Sequence, residues 1–187
     1  MTGTDLFLSI AAALDATGIP FMLTGSMAGA YHGAGRATMD IDLVVDPTRE
    51  QLLTLVDRVR DAGLYISADA ALEALEHRSM FNVVDVATGW KVDLIVRKTR
   101  PFSQAEFERR VAIDYAGRRV SVATLEDLII AKLEWAKLSG SARQIEDVAA
   151  LLKLREDELD LAYLERWIAA LDLEPQWRQA RSQGRGA

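Results

Sequence analysis

Cysteine is absent from this chain of 187 residues, and histidine occurs only twice. Without cysteine the protein has no disulfide bond and no thiolate metal site. No apolar run reaches the roughly 18 residues that a membrane-spanning helix needs. The first residues lack a basic start and include Asp5. We therefore expect no signal peptide, no membrane partner and a cytoplasmic protein.

An excess of positive charge is also absent: 28 acidic residues outnumber 22 Lys and Arg residues, and the formal net charge is −6 at pH 7. No overall field therefore attracts nucleic acid, although the acidic balance does not exclude a nucleic-acid substrate. Half of the residues are hydrophobic and 27% are charged, as in ordinary globular proteins. A chain of this kind can bury a hydrophobic core, and it suits one domain with a small appendage.

The order of hydrophobic patterns and turn residues predicts an α+β fold. Helix and strand patterns alternate first, two hairpins follow around Thr88-Gly89 and Ala116-Gly117, and only helical patterns follow Thr124. This order predicts a mixed β-sheet flanked by helices, with a C-terminal helical appendage. We expect a core over residues 1–122, a helical subdomain over 123–174 and a flexible tail over 175–187.

Three aspartates stand inside strand-like apolar segments. Asp40 and Asp42 alternate with Ile41, and side chains two residues apart in a strand project from the same face. Two carboxylates this close repel each other unless a cation lies between them. Asp93 stands in a second apolar strand and would converge with them if the two strands were neighbours. Hard oxygen ligands of this kind suit Mg²⁺ or Mn²⁺.

A second group of candidate residues precedes the Asp40 strand. Gly25 and Ser26 end one predicted strand and open a helix. A glycine lets a phosphate approach the backbone, and free N–H groups at a helix start attract anions. The hydroxyl of Ser26 can add a hydrogen bond, and Arg36 is a candidate contact for a triphosphate.

These residues together resemble the signature of the nucleotidyltransferase superfamily with the polymerase-β-like fold. In that signature a hydrophobic residue and Gly-Ser precede Asp-x-Asp after a spacer. Here Gly25-Ser26 is followed by thirteen residues and then by Asp40-Ile41-Asp42-Leu43. One departure is Thr24, which stands where the signature has an apolar residue. The resemblance implies a nucleotidyltransferase-like mixed sheet.

Further motifs resemble the minimal bacterial nucleotidyltransferases related to AbiEii-type toxins. They are the segments 35–42, 125–133 and 143–147. In that group a helical lysine and a later aspartate complete the active site, which implies catalytic roles for Lys132 and Asp147. Some relatives have Lys-Asp where this chain has Arg143-Gln144. The resemblance implies Mg²⁺ or Mn²⁺ at Asp40, Asp42 and Asp93, with a nucleoside triphosphate (NTP) as substrate.

The implied reaction moves a nucleoside monophosphate from the NTP to a hydroxyl group. Three acceptor classes are open: a tRNA 3′ end, a protein hydroxyl, or a small molecule such as an aminoglycoside. Toxin-like relatives favour RNA or protein, and they make an antitoxin a candidate partner. An alternative is a non-catalytic module of the same fold that binds a nucleotide or partners an antitoxin.

Simpler interpretations exist for each group of residues. Asp40 and Asp42 could belong to a solvated edge strand, and Asp93 could be a strand carboxylate paired with Lys91. Lys132 could be a surface lysine near Glu134. A dinucleotide-binding turn over 24–29 is a weaker competitor, because Tyr31 replaces the last glycine of that motif and no series of βαβ units follows it.

Overall fold

The computed structural model describes residues 1–185, which form two compact units. The first unit comprises Met1–Met27 and Ala37–Ala123. The second comprises Ala28–Arg36 and the chain from Thr124 onward. The first unit contains a mixed sheet with helices, and the chain after it is helical, which confirms the predicted α+β class. None of the helices in residues 1–185 is both long and apolar enough to cross a membrane.

The chain up to residue 123 alternates between helices and strands. In order these are α1 (Gly3–Ala16), β1 (Phe21–Thr24), α2 (Gly25–Tyr31), β2 (Asp40–Val45), α3 (Arg49–Asp61), β3 (Tyr65–Ile66), α4 (Ala68–His77), β4 (Met80–Val84), β5 (Lys91–Val96), α5 (Pro101–Arg109), β6 (Val111–Tyr115) and β7 (Arg118–Val122). Local signals place several boundaries. Thr2 and Thr48 form capping boxes with Asp5 and Gln51, which fix the starts of α1 and α3.

All strands of the first unit join one sheet in the order β3-β4-β5-β2-β1-β7-β6. The neighbours β2 and β5 are parallel, as are β1 and β7, whereas the other neighbours are antiparallel. The β6–β7 hairpin turns through Ala116 and Gly117, both with positive φ, as the sequence predicts for a tight two-residue turn. The central pair β2 and β5 is aligned over its whole length, from Asp40 opposite Lys91 to Val45 opposite Val96.

Alternation along β2 and β5 separates an apolar face from a polar one. On the apolar face Ile41, Leu43, Val92 and Leu94 are completely buried. The buried stripes of α1 and α3 belong to the same hydrophobic core and keep these two helices in contact. Because the apolar face fixes the strand register, it also fixes which side chains project from the other face.

Between Thr124 and residue 185 the regular elements are all helical. They are α6 (Leu125–Ser139), α7 (Ala142–Arg155), a 3₁₀ turn (Glu156–Glu158), α8 (Leu161–Ala170) and α9 (Glu174–Arg185). Thr124 caps α6 by accepting the N–H of Asp127, and Gly140 ends it with a positive φ of 67°. The short turn at Gly140 allows α7 to return along α6, and the two helices contact each other.

Two expected boundaries differ from the structure. The segment expected to be a flexible tail forms α9 up to Arg185, and residues 186 and 187 lie outside the described residues. Trp177 and Ala180 are buried, and a Cβ added to Gly184 would lie 3.5 Å from the Ala149 carbonyl oxygen. These positions form a narrow apolar stripe. Because arginines surround it, the sequence pattern did not predict a packed helix. The segment Ala28–Arg36, expected in the core, belongs to the second unit.

Candidate active site

The parallel register of β2 and β5 brings three predicted aspartates to one face of the sheet. Asp42 stands directly opposite Asp93 on the neighbouring strand. Aligned residues of adjacent strands project from the same face, and so does Asp40, two residues before Asp42. Asp93 is buried, Asp42 is half-buried and Asp40 is exposed. The edge-strand interpretation of Asp40 and Asp42 is wrong, because β2 lies between β1 and β5.

Two further side chains hold the Asp93 carboxylate. Lys91 Nζ donates to Oδ2 at 3.1 Å, and Asn82 Nδ2 donates to Oδ1 from the neighbouring strand β4. Lys91 Nζ also lies 3.4 Å from Asp40 Oδ1. Burial lowers the pKa of Lys91, but the hydrogen bond and charge of Asp93, together with the charge of Asp40, raise it above its ordinary value. The pairing of Asp93 with Lys91 that the sequence offered as an alternative is thus present.

Gly25 has a steric reason to be glycine. It opens α2 with a positive φ of 62°, and a Cβ at this position would stand 1.9 Å from Asp42 Oδ2. Ser26, the next residue, is buried. The sequence predicted Gly25 from the approach of a phosphate, and the structure adds that any side chain here would occupy the space of the Asp42 carboxylate.

The donor atoms of this face suit a divalent cation. Three carboxylates provide the hard oxygen ligands that Mg²⁺ and Mn²⁺ prefer. Within residues 1–185, however, no three His, Asp or Glu side chains are grouped closely enough to hold a metal ion as they stand. Asp40 and Asp93 instead direct an oxygen each towards the Lys91 ammonium. The three carboxylates are thus suitable ligands for a divalent cation, but two of them form salt bridges with Lys91 in this structure.

A second charged cluster lies in the helical unit and contains the other predicted residues. Lys132 Nζ donates to Asp147 Oδ2 at 2.7 Å and lies 3.3 Å from Gln144 Oε1. Arg36 Nε donates to the same Asp147 oxygen at 3.2 Å. Two cations therefore share one carboxylate oxygen, Oδ2 of Asp147.

Lys132 is a buried residue with an exposed fraction of only 4%. It lies on the side of α6 that carries Ile129, Leu133 and Ala136, all of them buried. A buried ammonium requires a counter-charge, which Asp147 provides from α7. The interpretation of Lys132 as a surface lysine near Glu134 is therefore wrong.

Asn82 and Gln144 were absent from the predicted site. Asn82 is the one polar residue of β4, Met80–Val84, and that position inside an apolar strand was the available signal. Gln144 keeps its Oε1 3.3 Å from Lys132 Nζ. The amide can accept a hydrogen bond from the ammonium but brings no negative charge.

Comparison with known proteins places this chain in a family. Residues 7–183 match the family described as "Nucleotidyl transferase AbiEii toxin, Type IV TA system". No curated protein gives a significant sequence match.

Solved structures with the same fold include an antibiotic-resistance factor, ANT(2″)-Ia. Its solution structure has a TM-score of 0.60 and 16% identity, with 96% of each chain covered. Its crystal structure with adenylyl-2″-tobramycin has a TM-score of 0.60 and 18% identity, covering 92% of this chain and 98% of that one. The lincosamide antibiotic adenylyltransferase LnuA, bound to lincomycin, has a TM-score of 0.51 and 15% identity, covering 81% and 96%.

At these identities the structures support the fold alone, whereas the family match extends over nearly the whole chain. The motifs that carried the resemblance, around Asp40, Lys132 and Asp147, all lie inside the matched residues. The chain therefore belongs to the AbiEii nucleotidyltransferase toxin family.

Proposed function

We propose that this protein transfers a nucleoside monophosphate from an NTP to a hydroxyl acceptor, with Mg²⁺ or Mn²⁺ bound at Asp40, Asp42 and Asp93. The observation that carries the proposal is the register of β2 and β5, which sets Asp42 opposite Asp93 and places Asp40 on the same face. A sheet has no structural need for two aspartates side by side, because like charges directly opposite each other destabilise a strand pair.

The aspartates supply the ligand set of the reaction. When bound, the metal ion lowers the pKa of the acceptor hydroxyl and neutralises charge on the departing pyrophosphate. A hydrogen bond from Asn82 orients the Asp93 carboxylate. We assign to Asp93 the acceptance of the proton from the acceptor hydroxyl, a role that an oriented carboxylate can perform.

The remaining predicted residues are assigned to the nucleotide. Gly25 keeps its position free of a side chain, and the Ser26 hydroxyl and the Arg36 guanidinium are donors that suit phosphate oxygens. Lys132 supplies a positive charge that stabilises the negative charge developing on the phosphates. Asp147 bonds to both Lys132 and Arg36 and so sets the orientation of these two cations.

The acceptor we favour is RNA, with a tRNA 3′ end as the leading candidate, or a protein hydroxyl. Membership of a toxin family supports this choice and makes an antitoxin the expected partner. The structures with adenylyl-2″-tobramycin and with lincomycin concern small-molecule substrates of those proteins. The experiment must therefore distinguish an RNA or protein acceptor from a small-molecule acceptor.

The test is incubation of the purified protein with each of the four NTPs, labelled at the α-phosphate, together with Mg²⁺ and total cell extract. We expect label on RNA or on protein, and none when Asp42→Asn replaces the wild type or when EDTA replaces Mg²⁺. Label on small molecules alone would move the acceptor to the antibiotic-modifying class. Specific nucleotide binding without any transfer would favour the non-catalytic module instead.

A further inference from the structure

Strand register places Lys91 between two of the proposed metal ligands. Parallel pairing sets Lys91 opposite Asp40, and the two-residue step to Asp93 keeps both on one face of β5. Its ammonium lies 3.1 Å from Asp93 Oδ2 and 3.4 Å from Asp40 Oδ1. The register of β2 and β5 therefore places Lys91 beside both aspartates.

The same contacts occupy the oxygens that a metal ion needs. Asp93 accepts Lys91 on Oδ2 and Asn82 on Oδ1, and its side chain is only 9% exposed. A divalent ion bound to Asp93 and Asp40 would stand within a few ångströms of the ammonium. Two cations at that distance repel strongly where solvent screening is weak. The ammonium and the ion are thus alternatives at this position.

We propose, on the basis of the function proposed above, that Lys91 is the internal counter-ion of the metal-free aspartate site and that a divalent cation binds by displacing its ammonium. Lys91 then has two opposite effects. It stabilises the metal-free protein by compensating the carboxylates of Asp40 and Asp93, and it weakens the affinity of the site for the ion. Removal of its charge should reverse both effects.

The experiment measures Mn²⁺ binding to the nucleotide-free protein by calorimetry or by the electron paramagnetic resonance signal of free Mn²⁺. Lys91→Met removes the charge and keeps most of the chain length, whereas Lys91→Arg keeps the charge. We expect the Kd for Mn²⁺ to fall about tenfold in Lys91→Met, which corresponds to about 1.4 kcal/mol. The Lys91→Arg variant should bind Mn²⁺ as weakly as the wild type or more weakly.

Thermal unfolding supplies a second readout that does not depend on activity. In EDTA, Lys91→Met should melt at a lower temperature than the wild type, because its carboxylates lose their counter-ion. Saturating Mn²⁺ should raise its melting temperature more than that of the wild type, since tighter binding to the folded state stabilises it more. Lys91→Gln provides the same comparison if the methionine variant does not fold.

The Asp42→Asn variant separates failure of this inference from failure of the metal site itself. If Asp42→Asn abolishes Mn²⁺ binding while Lys91→Met binds the ion no more tightly than wild type, the role of Lys91 is overturned and the site stands. If Mn²⁺ binds equally well to Asp42→Asn, or binds to none of the variants, the metal site and the role of Lys91 are overturned together.

Discussion

The Asp42 carboxylate lies against the Cα of Gly25, so close that an added Cβ would stand 1.9 Å from its Oδ2. Gly25 follows directly on Thr24, the residue that pairs with Asp42 across β1 and β2. The strand pairing therefore brings the glycine and the aspartate together, and the glycine gives the carboxylate the room it uses. Two halves of the signature, Gly-Ser and Asp-x-Asp, thus depend on each other sterically.

Gly25→Ala should therefore damage the site beyond ordinary backbone strain. An L-residue at φ +62° is strained by about 1–2 kcal/mol, and the new methyl group must also displace Asp42. Gly63→Ala is the matched control, since it has φ +77° and nothing within 4 Å of the added Cβ. We expect Gly63→Ala to lose about 1 kcal/mol of unfolding free energy and to keep its activity.

Gly25→Ala should lose more stability than that control, and most of its transferase activity. Chemical denaturation and the labelled-NTP assay measure the two effects. Equal stability losses in both variants, with full activity in each, would contradict the steric link between Gly25 and Asp42.

Asp42→Asn should abolish transfer while preserving the fold. The amide keeps the shape of the side chain but removes a ligand charge and a repulsion with Asp93, which stands directly opposite. The unfolding free energy in EDTA should therefore hold or rise. Asp46→Asn is the control, at the residue that follows the C-terminal end of β2: Asp46 pairs with Arg97 at 2.7 Å and with Arg78 at 3.4 Å.

Because Asp46 is paired, its asparagine variant should lose stability and keep its activity, the reverse of Asp42→Asn. Melting curves in EDTA and turnover measured for both variants make the comparison. Wild-type transfer by Asp42→Asn would refute the proposed mechanism.

The sequence was sufficient to predict those strands and turns whose hydrophobic periodicity and turn residues agree with the way they pack. The strand parity of Asp40 and Asp42, and the turn at Ala116, required only periodicity and turn chemistry. The pairing of β2 with β5 could not be derived in this way, because a parallel neighbour depends on how distant segments pack. The contacts of Lys91 and Asn82 depend on that pairing, so their roles became visible only in the structure.

For the C-terminal segment, amino-acid composition led to a wrong prediction, that of a flexible tail. Its arginines and glycines are typical of a solvated tail, but Trp177 and Ala180 are buried and the segment is helical. Hydrophobic positions spaced three residues apart are enough to hold a helix when a neighbour accepts them. Contacts between α7 and α9 provide that neighbour.

Acid sensitivity should depend on Asp85, which organises the turn between β4 and β5. Its carboxylate accepts the Thr88 hydroxyl at 2.6 Å and the Ala87 N–H at 3.0 Å. The hydrogen bond from Thr88 lowers the pKa of Asp85, and this effect exceeds the opposing effect of burial. A group whose pKa is lower in the folded state stabilises the fold above its unfolded pKa, about 3.9.

The stabilisation from Asp85 is therefore present above about pH 4 and is lost as the pH falls through the lower folded pKa. Asp85→Asn should be less stable than wild type at pH 7, and the difference should shrink in more acidic buffer. Denaturation midpoints measured from pH 7 to pH 2 give the comparison. A difference that stays constant over this range would exclude a contribution from the charge of Asp85.

Lys132 provides the last test, because its burial and its ion pair predict two separate effects. Lys132→Met removes the ion pair of Asp147 with Lys132 and leaves the one with Arg36, so the unfolding free energy should fall by about 1–3 kcal/mol. If Lys132 also stabilises charge in the transition state, turnover should fall by orders of magnitude, since losing one aimed donor costs about 3 kcal/mol. Lys137→Met is the matched control on α6, where the lysine is exposed and should change stability by only about 0.5 kcal/mol.

The double variant Lys132→Met with Asp147→Asn distinguishes a structural lysine from a catalytic one. Removing both charges of the pair should cost less stability than the sum of the single changes, because the two side chains interact directly at 2.7 Å. A catalytic Lys132 predicts that turnover stays low in the double variant even as stability recovers. Steady-state kinetics beside denaturation curves for the four proteins measure both quantities. If turnover recovered together with stability, or if Lys132→Met kept wild-type turnover, Lys132 would be a structural residue and the chemistry would belong to the aspartates of the sheet.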